Sequence, residues 1–205
     1  MRFPIPRQFN GLFAVLVVAS VLILSGGVAT ASPFFGLFGV KKASESLHRQ
    51  DPPKVSPRVL DRVSQGNSRV LVSLGKQRAY LLLDGEVAID TPISSGKAAG
   101  MTPSGNFHVE EKDPDHRSNL YGNFIDSRGR VVRAGVSARI DSAPSGTHFE
   151  GAPMYYFMRI SEGVGMHVGI LPGYPASHGC IRMPAEIAPI FYQKVKVGTP
   201  VEVVH

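Results

Sequence analysis

From about residue 69 onward the chain is a series of short β-prone runs cut apart by glycine, proline and Asp-Gly turn signals. Val70-Leu71-Val72-Ser73-Leu74 opens the series, and residues 77–83 and 86–89 follow, with Asp84-Gly85 between them as a hairpin signal. Residues 94–105 read as a turn-rich loop and 106–111 as a strand. Residues 113–126 read as a polar, irregular surface loop and 130–136 as another short strand. Residues 154–160 and 165–169 are β-prone and lead to His167. Residues 184–192 suggest a short helix, started by Pro184 and strained by Pro189. Gly198-Thr199-Pro200 then turns the chain into a last strand, 201–204. So much punctuation leaves room for one or two short helices only. The expected fold is mostly β, a sandwich or a partly closed barrel.

The N-terminal third has a different character. Arg2 and Arg7 precede the uncharged apolar run 12–24; Ser25-Gly26-Gly27 breaks it, and Ala29-Thr30-Ala31 supplies a small-x-small cleavage pattern. Residues 1–31 therefore read as an export signal. The competing reading is an uncleaved anchor, since the stretch 11–31 just reaches the roughly 20 residues a bilayer requires. No cysteine follows the run, which excludes a lipoprotein. Residues 32–68 read as a tether. Phe34-Phe35-Gly36-Leu37-Phe38 could touch a membrane surface, and Pro52, Pro53 and Pro57 favour an extended chain. A short helix near 55–63 competes with the extended form in part of it. The folded domain is then 69–205, in an exported protein of the periplasm or cell envelope, free or anchored to the inner membrane.

The charge is mildly basic, 22 Lys and Arg against 16 Asp and Glu, and spread along the chain. That pattern does not suggest nucleic acid; it suits an acidic polymer or an anionic surface. No glycine-rich phosphate loop is present, and no cofactor is expected.

In an exported chain a single cysteine is a dimer link, a reactive thiol or a buried inert residue. The neighbours of Cys180 favour reactivity. It stands in Ser177-His178-Gly179-Cys180-Ile181-Arg182, with His167 shortly upstream at a predicted strand end. A thiolate is the nucleophile, and a histidine within reach can take the thiol proton. Either His167 or His178 could serve. Gly179 removes a side chain beside the thiol, so the amides of 179 and 180 could approach an oxyanion. Arg182 has two readings: a paired hydrogen bond to a substrate carboxylate, or a salt bridge bracing the loop. His167, His178 and Cys180 could also form a three-ligand zinc site, but no HExxH or CxxC pattern accompanies them, and no metal is expected.

These residues resemble the L,D-transpeptidase family with the YkuD-type catalytic domain. Ser-His-Gly-Cys-Ile-Arg with its upstream histidine carries the resemblance. Residues 70–83 are similar to the family's opening hairpin, and Pro92-Ile93-Ser94-Ser95-Gly96-Lys97 through Thr102-Pro103-Ser104-Gly105-Asn106-Phe107 to a second block. The similarity covers about residues 69–204. It implies action on peptidoglycan stem peptides, one as donor and one as acceptor. Cys180 would attack the carbonyl of the third stem residue, D-alanine would leave, and an amine would resolve the acyl-thioester as a cross-link. It further implies His167 as general base and acid, oriented by the carbonyl of Val168. His178, Gly179 and Cys180 would line the oxyanion site, and Ser177 would support the loop. Many members carry asparagine where Arg182 stands, and some carry arginine. The loop 169–176 is short, which implies a reduced lid. The same chemistry with water as acceptor would make an L,D-carboxypeptidase or endopeptidase. Two readings of a different class are a catalytically silent wall-binding protein and a zinc-binding protein.

Overall fold

The computed structural model describes residues 50–205. The expected export signal, and the tether as far as residue 49, lie outside them. The described residues form thirteen strands and two short helices in three sheets, none closed into a barrel.

The largest sheet has six strands. β1 (Lys54–Val55), β2 (Ser68–Ser73), β3 (Arg78–Leu83), β4 (Glu86–Pro92), β5 (Gly105–His108) and β13 (Pro200–Val204) lie in the order β1-β4-β3-β2-β13-β5. The β3–β4 hairpin turns at Asp84 and Gly85, both with positive φ (49° and 84°), as an Asp-Gly turn requires. Along β2 and β3 alternate residues face inward. Val70, Val72, Ala79 and Leu81 are completely buried, which fixes the register, because a one-residue slip would expose all of them.

The second sheet carries the chemistry-bearing residues. β6 (Glu111–Asp113), β10 (Phe157–Ser161), β11 (Val164–Val168) and β12 (Ile181–Met183) lie in the order β12-β11-β10-β6. Met158, Ile160, Met166, Ile181 and Met183 project from it into the same core that β2 and β3 fill. The helix α2 (Ala188–Lys194) adds Ala188 and Phe191 to that core.

The structure corrects the sequence expectations in three places. Residues 117–126, expected as irregular loop, are the ten-residue strand β7 (Arg117–Asp126). It pairs with β8 (Val131–Ser137) and with β9 (Thr147–Pro153), a strand without a signal in the sequence pattern, in a third sheet ordered β8-β7-β9. The backbones approach so closely at Gly122 and Gly151 that a Cβ at either position would run into the facing chain's carbonyl. Secondly, where the stretch before residue 69 is described, the short-helix reading of 55–63 holds and the extended one does not. β1 pairs with β4, the helix α1 (Pro57–Leu60) follows, and Val59 and Val63 enter the core. Two buried valines outweigh the extended bias of the nearby prolines. Thirdly, α2 begins at Ala188 rather than Pro184. Pro189 falls in its first turn, where its missing N–H and fixed φ favour the helix instead of straining it.

Candidate active site

β11 and β12 run parallel, with Met166 opposite Ile181 and His167 opposite Arg182. Met166, Ile181 and Met183 point into the core, so His167 and Arg182 stand on the opposite face, and the same alternation brings Cys180 there. On that face β11 and its continuation read Gly165, His167, Gly169. Both glycines make room for a neighbour. A Cβ on Gly165 would run into the ring of Phe157, and one on Gly169 would come within 2.7–2.9 Å of three carbons of the Arg182 stem. Phe157 is itself held by a stacked His116, with ring centroids 4.1 Å apart.

His167 is only 7% exposed. Its Nδ1 lies 2.8 Å from the carbonyl oxygen of Val168. A carbonyl only accepts, so Nδ1 carries the proton and Nε2 keeps a lone pair. Burial holds its pKa down at about 4, against the raising effect of the Val168 carbonyl; Arg182 and His116 push it down further. The imidazole is therefore neutral at ordinary pH and able to accept a proton.

The Cys180 thiol donates to the carbonyl of Gly163 at 3.7 Å. Burial raises its pKa above the ordinary value, opposed by the Gly165 N–H and by Arg159 and Arg182. The resting pair is thus a thiol and a neutral imidazole, not a thiolate and an imidazolium.

The turn before Cys180 is tied from within. Ser177 Oγ donates to the Cys180 carbonyl (2.5 Å) and accepts the Gly179 N–H (3.0 Å). The Gly179 amide, expected at an oxyanion position, is occupied by that hydroxyl. The Cys180 N–H has no protein acceptor among the described residues and remains available. Gly179 is needed for another reason: its φ is +139°, and a Cβ there would meet the Met101 carbonyl at 2.9 Å.

The loop 94–102 clasps this turn from outside. Thr102 Oγ1 donates to the Gly179 carbonyl and accepts the Gly96 N–H. The Ser95 carbonyl accepts the N–H groups of Ala176 and Ser177. Buried Gln77 holds Ser95 in turn, donating to its hydroxyl (2.8 Å) and accepting its N–H (3.0 Å). Sequence pattern alone assigns Thr102, Ser95 and Gln77 no role. The repeated small polar residues in 91–104 are the one hint of it.

His178 is directed elsewhere. Its ring stacks on Tyr121 of β7 at 4.2 Å, and its Nε2 lies 3.4 Å from Lys97 Nζ, which can only donate. The third sheet thus reaches the site through Tyr121, independently of the short loop 169–176. Arg182 is fixed by its backbone, whose N–H and C=O both pair with Ser94. Its guanidinium has no acceptor among the described residues, whereas Arg159 donates to Glu111 at 2.6 Å. A salt bridge bracing the loop through Arg182 is therefore absent among those residues. Beyond Val168 lies a cavity of about 470 Å³, lined by Pro114, Asp115, Tyr155, Tyr156, Val168 and Ala185. Among the described residues no three His, Cys, Asp or Glu side chains converge as metal ligands.

Comparisons with known proteins give this geometry a context. No curated protein sequence matches the chain. Among solved structures, an L,D-transpeptidase from Mycobacterium smegmatis is similar at 25% identity and a TM-score of 0.50, covering 68% of this chain and 59% of that one. The L,D-transpeptidase LdtMt1 in complex with imipenem is similar at 26% identity and the same TM-score, covering 67% and 59%. The chain thus spans about three fifths of the length of these relatives. The family model of the YkuD L,D-transpeptidase catalytic domain matches residues 67–203, from the first strand of the opening hairpin through the Cys180 turn to the last strand, and the chain belongs to that family.

Proposed function

We propose that this chain is a cysteine-dependent L,D-transpeptidase that forms or exchanges cross-links between peptidoglycan stem peptides, outside the cytoplasmic membrane. The observation that carries the reading is the Cys180–His167 arrangement. A half-buried thiol sits on the same sheet face as an imidazole whose tautomer is fixed by the Val168 carbonyl, with an unspent N–H at Cys180 itself.

The chemistry then runs in two halves. His167 Nε2 takes the thiol proton as Sγ attacks the carbonyl of the third stem residue. The oxyanion gathers at the Cys180 N–H. Collapse expels the terminal D-residue, whose amine takes the proton back from His167, and leaves an acyl-thioester. An acceptor amine attacks that thioester and gives a proton to His167. The second collapse releases the new amide, and the departing sulfur recovers the proton. Because the resting pair is neutral, proton transfer accompanies the attack of the thiol in the first half. His178 is occupied by Tyr121 and Lys97, which favours His167 as the base.

Incubation of the purified protein with muropeptides, followed by mass spectrometry, tests the proposal. Cross-linked or exchanged stems are expected. Stems shortened by one residue, with no cross-link, would make the protein a hydrolase.

A further inference from the structure

Arg182 is a cation without a partner among the described residues, and it stands beside the reacting groups. Its stem lies over Gly169, which has no side chain to displace it, and its backbone is pinned on both sides to Ser94. Two of the other charged groups near the site face acidic partners, Arg159 on Glu111 and His116 on Asp113, while Lys97 lies against the His178 ring, away from the His167 side. So well-built a seat for a partly buried guanidinium without a partner calls for an anion from outside the protein.

The strand register says which anion. Arg182 stands directly opposite His167, and Cys180 lies two residues earlier on the same face, about 6.6 Å along the strand. On the proposed reading, the scissile carbonyl sits at the Cys180 sulfur, and the leaving amine must sit on the His167 side to receive its proton. The residue that leaves therefore extends toward Arg182. Its α-carboxylate lies one residue beyond the scissile carbonyl, about 3.5 Å further along the chain. The side chain of the third stem residue branches off before that point.

We propose that Arg182 binds the terminal carboxylate of the donor's leaving residue, so that the site selects stems that end there and disfavours stems amidated or extended at that position. This rests on the transpeptidase reading given above. The bond is bidentate, guanidinium to carboxylate, and forms only with a chain end. Amidation removes the negative charge and one acceptor oxygen, and extension places a neutral peptide bond where the carboxylate belongs.

The test is a two-by-two comparison of kcat/KM. One tetrapeptide donor with a free terminal carboxylate and the same donor as a carboxamide are given to wild type and to Arg182→Gln. Wild type is expected to prefer the free acid by roughly 10–100-fold, the range for a charge-assisted hydrogen bond. Arg182→Gln should lose that preference by slowing on the acid alone, and Arg182→Lys should retain part of it. If Arg182→Gln does not fold, the Lys variant carries the comparison, and a preference equal to wild type's in it overturns the proposal. A preference undiminished in Arg182→Gln, or wild type using both donors equally, overturns the proposal and leaves the transpeptidase reading standing. Failure of wild type to be acylated by either donor overturns both.

Discussion

The hydroxyl of Ser177 spans the turn that presents Cys180, donating to the Cys180 carbonyl while accepting the N–H of Gly179. One side chain thus satisfies two backbone groups in a segment where Ser177 itself is only 2% exposed. Ser177→Ala is expected to leave both groups unpaired and to cost about 1–3 kcal/mol. Acylation should slow at the same time, because the turn no longer holds Cys180 in one place. Chemical denaturation and a single-turnover acylation rate measure the two effects together.

Cys180→Ala should abolish covalent modification while leaving the fold unchanged, since the thiol makes only sulfur contacts, the long one to the Gly163 carbonyl and that with the Gly165 N–H. A carbapenem is the convenient probe, because its strained carbonyl is open to a thiol. Intact-mass spectrometry should show one adduct on wild type and none on the variant. Equal adduct on both would place the reactive atom elsewhere.

The two histidines should separate clearly. His167→Ala is expected to reduce the acylation rate by roughly 10²–10⁴, the range for losing a general acid–base group. His178→Ala should cost much less, because its Nε2 faces Lys97 and its ring packs on Tyr121. A larger loss in His178→Ala, with circular dichroism unchanged in both variants, would reverse the roles.

Stability should fall on mild acidification through His167. Its folded pKa of about 4 lies below the ordinary 6.5. Between those values the unfolded chain binds a proton that the folded chain refuses, so stability is complete above about pH 6.5 and drains away as pH falls toward 4. The whole difference is about 3 kcal/mol. His167→Gln should remove that share of the slope, which denaturant titrations at pH 7, 5.5 and 4.5 would show as a shrinking gap between variant and wild type.

The proposed location predicts a processed N-terminus. Peptide mapping of protein taken from its native cell envelope should find chains beginning at Ser32, after Ala29-Thr30-Ala31. A peptide spanning Ala31 and Ser32 in most molecules would mean an anchored enzyme instead.

The parts of the site that are legible in the sequence are those whose chemistry is local. The Asp84-Gly85 hairpin, the lone Cys180 and the nearby His167 each announce themselves within a few residues. β7 and β9 do not. Ser-Asn-Leu-Tyr-Gly-Asn is too polar to read as a strand, and only pairing with distant residues 131–137 and 147–153 makes it one. The Gln77–Ser95–Ser177 relay is invisible for the same reason, since its members meet only after the sheets have packed. The open choice between the two histidines is also a matter of distance. In an extended segment His178 would share a face with Cys180, but the positive φ of Gly179 breaks the alternation.

The placement of β13 carries a kinetic consequence. Val201 pairs in parallel with Val70 on one side and antiparallel with Phe107 on the other, so the final strand is interior to the six-stranded sheet. The opening hairpin can form as soon as it is made, yet β5 has no partner in that sheet until the last strand arrives. A domain with a ladder joining its two ends has a high contact order and commits late, with loop closure preceding the reward. Loss of the last few residues would therefore not fray an edge. It would remove the strand that holds β5 to the other four and leave β5 unpaired in that sheet, together with the segment leading out of the loop that clasps Cys180.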